Sequence, residues 1–581
     1  MSLMIAGASV ALALGASAIA QAKRRAEKKE GIHSDVWATL GDVRRWGLIG
    51  DQKVDGRGWP VPAFVYGSMS ERSDIVFDWT TEETSRHALI SAPTGAGKTW
   101  TVFYPTLLYG WTHSAVVHVR KRELAEWTAG FRSTWSDVIW LDPTSMGSAK
   151  YNPLDRIRAT GIFAIRDSQN FMERLASAGG STNGGENAVF LETAKDFAAA
   201  SVVFVLTHFP MSRRNPSGLR AAFADCAGLA TAMMSNEHPD PRVQAELKVS
   251  ANALLSNPSE RFIGNVEGLM RSWLRVYQDT VLAHVTSRSD FSPSDLVRGD
   301  RPATLYIHLP PSDDRRLAPF VNILIADIID ELMTREKTTR DGSPKNWKVA
   351  LILDEAWRLG KIEALEGALA DMRSYGIRAL LGVQGLSQVI DLYGLHNSVF
   401  NNCRWITSWQ NGFDECKRVA DMLGDAERTK KSTSTTFGPM GDFRGRSAST
   451  ALEWRPVIHA AHVSRIPKDR IIIFGEEKPI LAYRTHKETW RPLVRPLHQP
   501  ERMVGEFLTG PNPGPGRGAL PYLTRLIEGF GIQTRLPPPG HPEPPKGPPL
   551  LPPPAGPKPG GDDGKPKDQP KPGRRGRRRL F

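Results

Sequence analysis

A glycine-rich stretch, ISAPTGAGKTW, occupies residues 90–100. It follows the apolar run HALI and precedes a helix-like segment, and a phosphate-binding loop requires this strand, loop and helix context. Small residues allow backbone N–H groups to approach phosphate oxygens, Lys98 reaches the β and γ phosphates, and the Thr99 hydroxyl binds Mg²⁺. The pattern GxxxxGK(S/T) fails at one position, because Ala92 occupies the place of the first glycine. The predicted nucleotide-binding residues are Pro93, Thr94, Gly95, Ala96, Gly97, Lys98 and Thr99.

A second stretch, LILDEA at residues 351–356, is an apolar strand-like run that ends in two carboxylates. If it lies on the sheet that carries the loop, Asp354 is predicted to bind Mg²⁺ together with Thr99. Glu355 is predicted to act on a water molecule in line with the γ phosphate. A carboxylate pair that follows a phosphate-binding loop favours hydrolysis over binding alone. The sequence therefore predicts ATP and Mg²⁺ as cofactors.

Two further polar residues are candidates for the same site. The run ALLGVQG, residues 379–385, ends in Gln384, whose amide at the carboxyl end of an adjacent strand would touch the γ phosphate. The alternative is that Gln384 caps the following turn. Arg373 is predicted to lie on a helix between the two strands, as an arginine finger for a neighbouring subunit or as a solvated helix residue. Spacing alone favours the solvated residue.

Alternating apolar and helix-like runs between residues 85 and 154 predict βαβ units and an α/β fold with a parallel central sheet. Residues 155–290 have helical periodicity with almost no strand signal, which predicts an inserted all-α domain. Strand-like runs return from ATLYIHL to RIIIFGE, and the α/β domain is expected to close near Tyr483. The predicted segments are an anchor at 1–22, a lead-in at 23–84, a first ATPase part at 85–154, the insert at 155–290, a second ATPase part at 291–500, a linker at 501–535 and a tail at 536–581.

The amino-terminal segment has the length and composition of a transmembrane helix. Residues 2–22 carry no charge, and the basic stretch KRRAEKK follows them. About twenty helical residues span the hydrocarbon layer of a bilayer. Positive charge after the apolar run places the bulk of the chain in the cytoplasm, which predicts a single-pass protein of the inner membrane. The alternative is a cleavable signal peptide, because ASA and IAQA resemble cleavage sites.

The carboxyl-terminal tail differs from the rest of the chain in composition. The net charge is +13, and residues 536–581 contribute ten Lys or Arg against four Asp or Glu. The body is therefore only mildly basic, and overall charge is a weak argument for nucleic-acid binding. The tail is also proline-rich and predicted to be disordered with polyproline character.

The three cysteines of the chain form no CxxC pair, so neither a zinc site nor a disulfide framework is indicated.

Several stretches together resemble the coupling proteins of type IV secretion and conjugation systems, the TraG/TraD-like branch of the RecA-like motor ATPases. They include SAPTGAGKT, LDPTS with YNPLDRI, TSRSDFSPSDLVRGDRPATLYIHLPPSDDRRLAPFVN, LILDEAWRLGKIEALEGALADMRSYGIRALLGVQGLSQ and NSVFNNCRWITSW. These stretches, in this order, cover most of residues 33–475. Their joint presence is more specific than the phosphate-binding loop alone.

The resemblance implies a membrane-anchored ring ATPase, usually a homo-hexamer, with an all-α domain inserted in the motor. Such a protein receives a relaxase bound to single-stranded DNA and passes it to the secretion channel. The resemblance assigns nucleotide and metal roles to Lys98 and Thr99, and metal and hydrolytic roles to Asp354 and Glu355. It also assigns a sensor role to Gln384. Arg373 lies where similar motors place their arginine finger.

The chain departs from the family pattern in three places. Ala92 replaces the first glycine of the loop. After the second strand, the family often has an acidic residue two positions before a lysine, but Val119 stands there, before Arg120 and Lys121. Many relatives have two transmembrane helices, whereas a single hydrophobic run is found here.

Three functions fit the sequence. The first is a translocation motor that drives DNA or a DNA–protein conjugate towards the envelope. The second is a double-stranded DNA pump of the chromosome-segregation type, which a carboxyl-terminal winged-helix domain would favour. The third is a docking receptor at the channel that binds substrate proteins and turns over little ATP.

Overall fold

The structure is a computed structural model. It describes residues 36–49, 61–69, 74–78, 86–178, 188–256, 259–408, 412–437, 443–467 and 469–484. The predicted anchor at 1–22, the linker at 501–535 and the tail at 536–581 lie outside the described residues. Within the described ranges, no helix is both long and apolar enough to cross a membrane.

The described residues form an eleven-stranded sheet and a separate two-stranded sheet. The strands are β1 (Ala63–Ser68), β2 (Asp74–Asp78), β3 (His87–Ser91), β4 (Ser114–Val119), β5 (Asp137–Leu141), β6 (Ala303–His308), β7 (Val349–Leu353), β8 (Ile377–Val383), β9 (Cys403–Ser408), β10 (Asp425–Phe437), β11 (Phe443–Pro456), β12 (Arg470–Ile473) and β13 (Ile480–Tyr483). The order in the large sheet is β2-β1-β13-β12-β9-β3-β8-β7-β4-β6-β5.

The α-helices connect these strands and build the segment between β5 and β6. They are α1 (Leu40–Arg45), α2 (Glu123–Arg132), α3 (Ala164–Ala178), α4 (Ala188–His208), α5 (Pro216–Ala222), α6 (Cys226–Ser235), α7 (Pro241–Leu255), α8 (Glu260–Trp273), α9 (Thr280–Val285), α10 (Asp314–Met333), α11 (Glu363–Ala368), α12 (Leu386–Tyr393), α13 (Ser398–Asn402), α14 (Phe413–Leu423) and α15 (Ala460–Val463). Where the structure describes the chain between β5 and β6, every regular element is helical.

The large sheet is mixed. The seven neighbouring strands from β9 to β5 run parallel, whereas β12, β13, β1 and β2 are antiparallel to their neighbours. The prediction of a parallel sheet therefore holds for the larger part and misses this edge. The turn that joins the antiparallel strands β12 and β13 contains Gly475, whose φ is +116°. A Cβ at this position would lie 2.8 Å from Arg404 Cγ, so the turn requires a glycine. Strands β1 and β2 come from residues 23–84, which the sequence predicts to be a lead-in.

The parallel strands at the centre of the sheet are mostly apolar and are buried. Every residue of β3, β4, β6, β7 and β8 is buried, as expected for strands that are covered on both sides. Strand β8 lies between β3 and β7. Since parallel strands end at the same edge of a sheet, the segments that follow β3, β7 and β8 meet there.

The helix that follows the phosphate-binding loop is wider than an α-helix. Residues Thr99–Phe103 and Thr106–Gly110 form π-helical turns. Helix ends leave carbonyl groups without partners, and the buried Arg132 side chain of α2 supplies donors here. Its Nη1 donates to Leu107 O at 3.0 Å and to Trp111 O at 2.7 Å. This guanidinium therefore holds the far end of the helix against the sheet.

Five of the described α-helices in the segment between β5 and β6 begin at a side-chain cap. Short polar side chains accept hydrogen bonds from backbone N–H groups in the first turn, which stabilises each start. The capping residues are Asn215, Asp225, Asp240, Ser259 and Asp279. The long helix α4 packs against α3, α7 and α8 and forms the centre of this helical bundle.

Ion pairs connect the helical bundle to α10. Arg174 of α3 lies with Nη1 3.3 Å from Asp327 Oδ1, and Arg156 Nη1 donates to Glu331 Oε2 at 2.9 Å. Tyr151 Oη also donates to Asp327 Oδ2 at 2.8 Å. Burial raises the pKa of Asp327 to about 6, although both arginines oppose the shift. These contacts fix the second half of α10 to the helical bundle.

Strands β10 and β11 form the two-stranded sheet, a long hairpin that the sequence does not predict. Pairing runs from Asp425 opposite Pro456 to Phe437 opposite Phe443. The run STSTTF is polar and lacks the apolar alternation that indicates a strand. Near its base, Trp454 is 69% exposed.

Candidate active site

Five of the predicted site residues meet at the carboxyl edge of the parallel strands. Strand β3 leads into the loop that holds Lys98 and Thr99, β7 is followed by Asp354 and Glu355, and β8 is followed by Gln384. More than 250 residues separate Thr99 from Asp354 along the chain, yet Thr99 Oγ1 donates to Asp354 Oδ2 at 3.2 Å. The sheet order alone produces this meeting, because β8 joins β3 to β7.

The loop at residues 92–98 needs glycine at two positions. Gly95 and Gly97 have φ values of +81° and +86°, a region that side chains with a Cβ rarely adopt. A Cβ on Gly97 would also lie 2.7 Å from Arg484 Nη1. Ala92, which replaces the first glycine of the loop pattern, lies in a different backbone environment. Ala92 N–H donates to Val383 O at 3.1 Å as a continuation of the sheet, so this position needs no glycine conformation.

Lys98, Thr99 and Asp354 form the inner part of the site. Lys98 Nζ lies 3.6 Å from Asp354 Oδ1, and both side chains are largely buried. Burial raises the pKa of Asp354, and Lys98 opposes the rise. Among the described residues, Asp354 Oδ1 has no hydrogen-bond partner. A buried carboxylate oxygen next to a threonine hydroxyl fits the oxygen ligands that Mg²⁺ prefers.

Glu355 is held from two sides. Its Oε1 accepts from Gln384 Nε2 at 3.1 Å and lies 4.0 Å from Lys98 Nζ, while its Oε2 accepts from Arg120 Nη1 at 2.8 Å. Partial burial alone would raise the pKa of Glu355, but Lys98, Gln384 and Arg120 together hold it below its usual value. The carboxylate is therefore ionised near neutral pH, as a proton acceptor must be.

The backbone of Glu355 is strained. It has φ 58° and ψ 45°, and it is the one non-glycine residue with positive φ among those described. Such a conformation costs on the order of 1–3 kcal/mol and clusters at active sites. The strained residue therefore lies where its side chain contacts Arg120 and Gln384.

Sequence reasoning missed four side chains that surround this site. Arg120 contacts Glu355, His118 Nδ1 lies 3.2 Å from Asp354 O, Arg484 Nη1 donates to Ala96 O, and Glu415 contacts Ser91 Oγ. Burial lowers the pKa of His118 to about 4, so the ring is neutral and Nδ1–H donates. A signal existed for His118 and Arg120, since both lie at the end of a strand next to β7. No local signal existed for Arg484 or Glu415.

Glu415 supports the loop from behind. It lies in α14, is buried, and accepts from Leu386 N at 3.0 Å in addition to Ser91 Oγ. Burial raises its pKa, and the hydrogen bonds from Ser91 and Leu386 oppose the rise. The end of β3 and the start of α12 are therefore tied to one carboxyl group.

The structure does not bring Arg373 to these residues. Arg373 lies in the turns between α11 and β8, shortly before the first residue of β8. Gln384 follows the last residue of β8, at the opposite end of the strand. The sequence predicts a helix around Arg373, but α11 ends at Ala368. Asp371 N–H donates to Ala368 O and Ser374 N–H to Asp371 O, a tighter i to i+3 pattern. The seven residues of β8, which lie between Arg373 and Gln384 in the chain, span about 20 Å.

The sequence matches a known protein family over most of its length. Residues 40–489 match the family model described as type IV secretory system conjugative DNA transfer. Over 457 residues the chain is 28% identical to the conjugal transfer protein TraG of Escherichia coli, covering 74% of this chain and 70% of the relative. It is 25% identical over 460 residues to protein VirD4 of Agrobacterium fabrum, covering 77% and 64%.

The fold is similar to that of the bacterial conjugative coupling protein TrwB. An unbound form of TrwB matches with a TM-score of 0.52 and 16% identity, covering 77% of this chain and 92% of that chain. TrwB in complex with ADP and Mg²⁺ matches with a TM-score of 0.50 and 15% identity, covering 78% and 93%. At this identity the likeness concerns the fold, an α/β architecture with a mostly parallel sheet.

Proposed function

The chain belongs to the type IV secretory system family of conjugative DNA transfer proteins, and from this premise we propose that it is a membrane-anchored coupling ATPase. It drives single-stranded DNA, delivered with a bound relaxase, into a type IV secretion channel. The observation that carries the proposal is the meeting of Lys98, Asp354 and Glu355 at one edge of the sheet. The family match confirms the resemblance that the sequence motifs indicate.

ATP and Mg²⁺ fit the residues of the site. The backbone N–H groups of residues 93–99 and the Lys98 ammonium would hold the phosphates, and Thr99 and Asp354 would hold the metal. TrwB, which has the same fold, binds ADP and Mg²⁺. The bound nucleotide and metal supply a γ-phosphoryl group whose negative charge is partly neutralised.

Glu355 is the proton acceptor of the proposed reaction. Its ionised carboxylate orients the attacking water and receives its proton, while Gln384 fixes the position of Oε1 from the end of the neighbouring strand. Because Lys98 lies within 4.0 Å of Glu355 Oε1, the same ammonium group links the phosphate-binding loop to the proton acceptor. The site therefore contains the groups needed to bind ATP, to orient the attacking water and to accept its proton.

We expect ATP hydrolysis to be stimulated more by single-stranded DNA than by duplex DNA of equal length. A conjugative motor engages one strand, and the measurement is phosphate release by the full chain in detergent with no DNA, single strands or duplex. Stronger stimulation by duplex would instead favour a segregation-type pump. Hydrolysis that no DNA changes, or no hydrolysis at all, would favour the docking receptor and contradict the motor.

We propose that the active form is a homo-hexamer in which Arg373 serves the site of the neighbouring subunit. Its place at the opposite end of β8 from Gln384 supports this, because the residue is too far from its own site to act there. A neighbour's arginine would add positive charge where charge develops on the transferred phosphoryl group.

Mixing two inactive variants tests the Arg373 assignment. Arg373→Ala and Lys98→Ala are each expected to lose hydrolysis, whereas a mixture regains part of it, since a Lys98→Ala subunit offers its intact Arg373 to an Arg373→Ala neighbour. Phosphate release is measured after co-assembly, with the exposed Arg335→Ala as a control that keeps full activity. A mixture as inactive as its components would contradict action in trans.

Membrane anchoring by residues 1–22 is part of the proposal and rests on their uncharged composition. Contact with the channel at the inner membrane would follow from it. Fractionation of cells that express the chain with and without residues 2–22 tests this part, and a truncated chain that stays with the membrane would contradict it.

A further inference from the structure

We propose that Arg120 is a positioning residue for hydrolysis, which holds the Glu355 carboxylate in its working orientation by bridging it to Asp314. This inference rests on the proposed function and adds a residue that the motifs do not contain. In the family pattern an acidic residue precedes this position, whereas Val119 stands there in this chain. The arginine that follows Val119 reaches the site instead.

The bridge uses two different edges of one guanidinium group. Arg120 Nη1 donates to Glu355 Oε2 at 2.8 Å, and Arg120 Nε donates to Asp314 Oδ2 at 3.1 Å. The Asp314 side chain is 8% exposed, and those of Arg120 and Glu355 are 22% and 17% exposed. Ion pairs that are shielded from water to this degree hold geometry better than exposed pairs do.

The sheet places Arg120 beside Glu355. Strand β4 pairs in parallel with β7, and His118 lies opposite Leu353. Arg120 and Glu355 therefore lie two residues beyond this matched pair, each just past the end of its own strand. Asp314 comes from the first turn of α10, a third element. The guanidinium is thus fixed by elements that are distant in sequence, which gives it a set position.

Glu355 needs such support because its backbone is strained and because both oxygens of its carboxylate must be held in a defined orientation. Gln384 holds Oε1, and Arg120 holds Oε2. With one oxygen released, the carboxylate turns about its side-chain bonds and no longer stays aligned with the water that it activates. A displacement of about 1 Å at a reacting group is enough to lower a rate about 100-fold.

Arginine suits this role better than lysine. A planar guanidinium offers donors in a fixed fork, whereas a lysine ammonium is a single charged point on a flexible stem. Arg120→Lys keeps the positive charge next to Glu355 and loses the bridge to Asp314. A role in charge alone therefore predicts full activity for Arg120→Lys, and a positioning role predicts an intermediate rate.

The test is hydrolysis by the full chain with Arg120→Gln, Arg120→Lys and the exposed neighbour Lys121→Gln. We expect kcat to fall about 10- to 100-fold for Arg120→Gln, the usual effect of losing a hydrogen bond to a charged group. Arg120→Lys regains part of the loss, Lys121→Gln matches the wild type, and the KM for ATP changes by less than about threefold in each.

A double-mutant cycle separates positioning from damage to the fold. In a Glu355→Gln background, adding Arg120→Gln is expected to change the single-turnover rate by less than about twofold, because Arg120 acts only through the carboxylate. An equal loss in both backgrounds would overturn the inference, and so would a wild-type kcat in Arg120→Gln. If the wild-type chain itself does not hydrolyse ATP, the proposed function fails together with this inference.

Discussion

Replacing Glu355 by glutamine is expected to lower the rate of ATP hydrolysis about 10²- to 10⁴-fold, the usual contribution of a general base. The amide keeps the size of the side chain and its contact with Gln384, but it cannot accept a proton from water. Nucleotide binding depends on the loop at residues 93–99 and on Asp354, so the affinity for ATP should stay within about threefold. The measurements are single-turnover phosphate release and equilibrium binding of a fluorescent ATP analogue.

The matched control is Glu363→Gln at the start of α11, which removes one carboxylate from an exposed position. It should leave both the rate and the affinity unchanged. A Glu355→Gln protein that hydrolyses ATP at the wild-type rate would remove Glu355 from the mechanism. The chemistry would then have to depend on another group at the sheet edge.

Replacing Lys98 by alanine is expected to weaken ATP binding about 30- to 5,000-fold, because truncating one partner of a buried charge pair costs about 2–5 kcal/mol. The variant should show no measurable hydrolysis at millimolar ATP. Lys98 also lowers the pKa of both Asp354 and Glu355. Its removal raises the pKa of each carboxyl group, so both take up a proton at a higher pH than in the wild type.

Binding and hydrolysis of Lys98→Ala are measured beside Lys248→Ala, a change on the exposed face of α7 in the helical bundle. The control should behave as the wild type. Tight ATP binding together with wild-type hydrolysis by Lys98→Ala would mean that Lys98 does not contact the phosphates, and it would count against the site as a whole. Intact binding without hydrolysis would restrict Lys98 to the chemical step.

Much of the site was predictable because its strongest signals are local. ISAPTGAGKTW and LILDEA each place their reactive side chains within a few residues of a buried strand, and that context is visible in the sequence. Gln384 followed from the same rule about strand ends. The position of Arg373 was predicted near β8, but the helix expected there ends at Ala368 and the residue lies in turns.

Some strands of the fold could not be predicted from the local sequence pattern. The polar hairpin of β10 and β11 lacks the apolar alternation that marks strands. β1 and β2 lie in a segment with weak signals, and they join the sheet through antiparallel pairing with β13. Such pairings depend on residues far apart in the chain, so no local window contains them.

The sequence alone identified the candidate groups for holding a phosphate and a metal, since a glycine loop with Lys98 and Thr99 and a carboxylate pair at Asp354 and Glu355 are recognisable as local patterns. Only the tertiary structure decided how Glu355 is held. The bridge from Arg120 to Asp314 joins β4, β7 and α10, and the contact of Arg484 with Ala96 joins β13 to the loop. Hydrogen bonds and ion pairs require distances near 3 Å, and only the packing of strands and helices brings residues hundreds of positions apart to that distance.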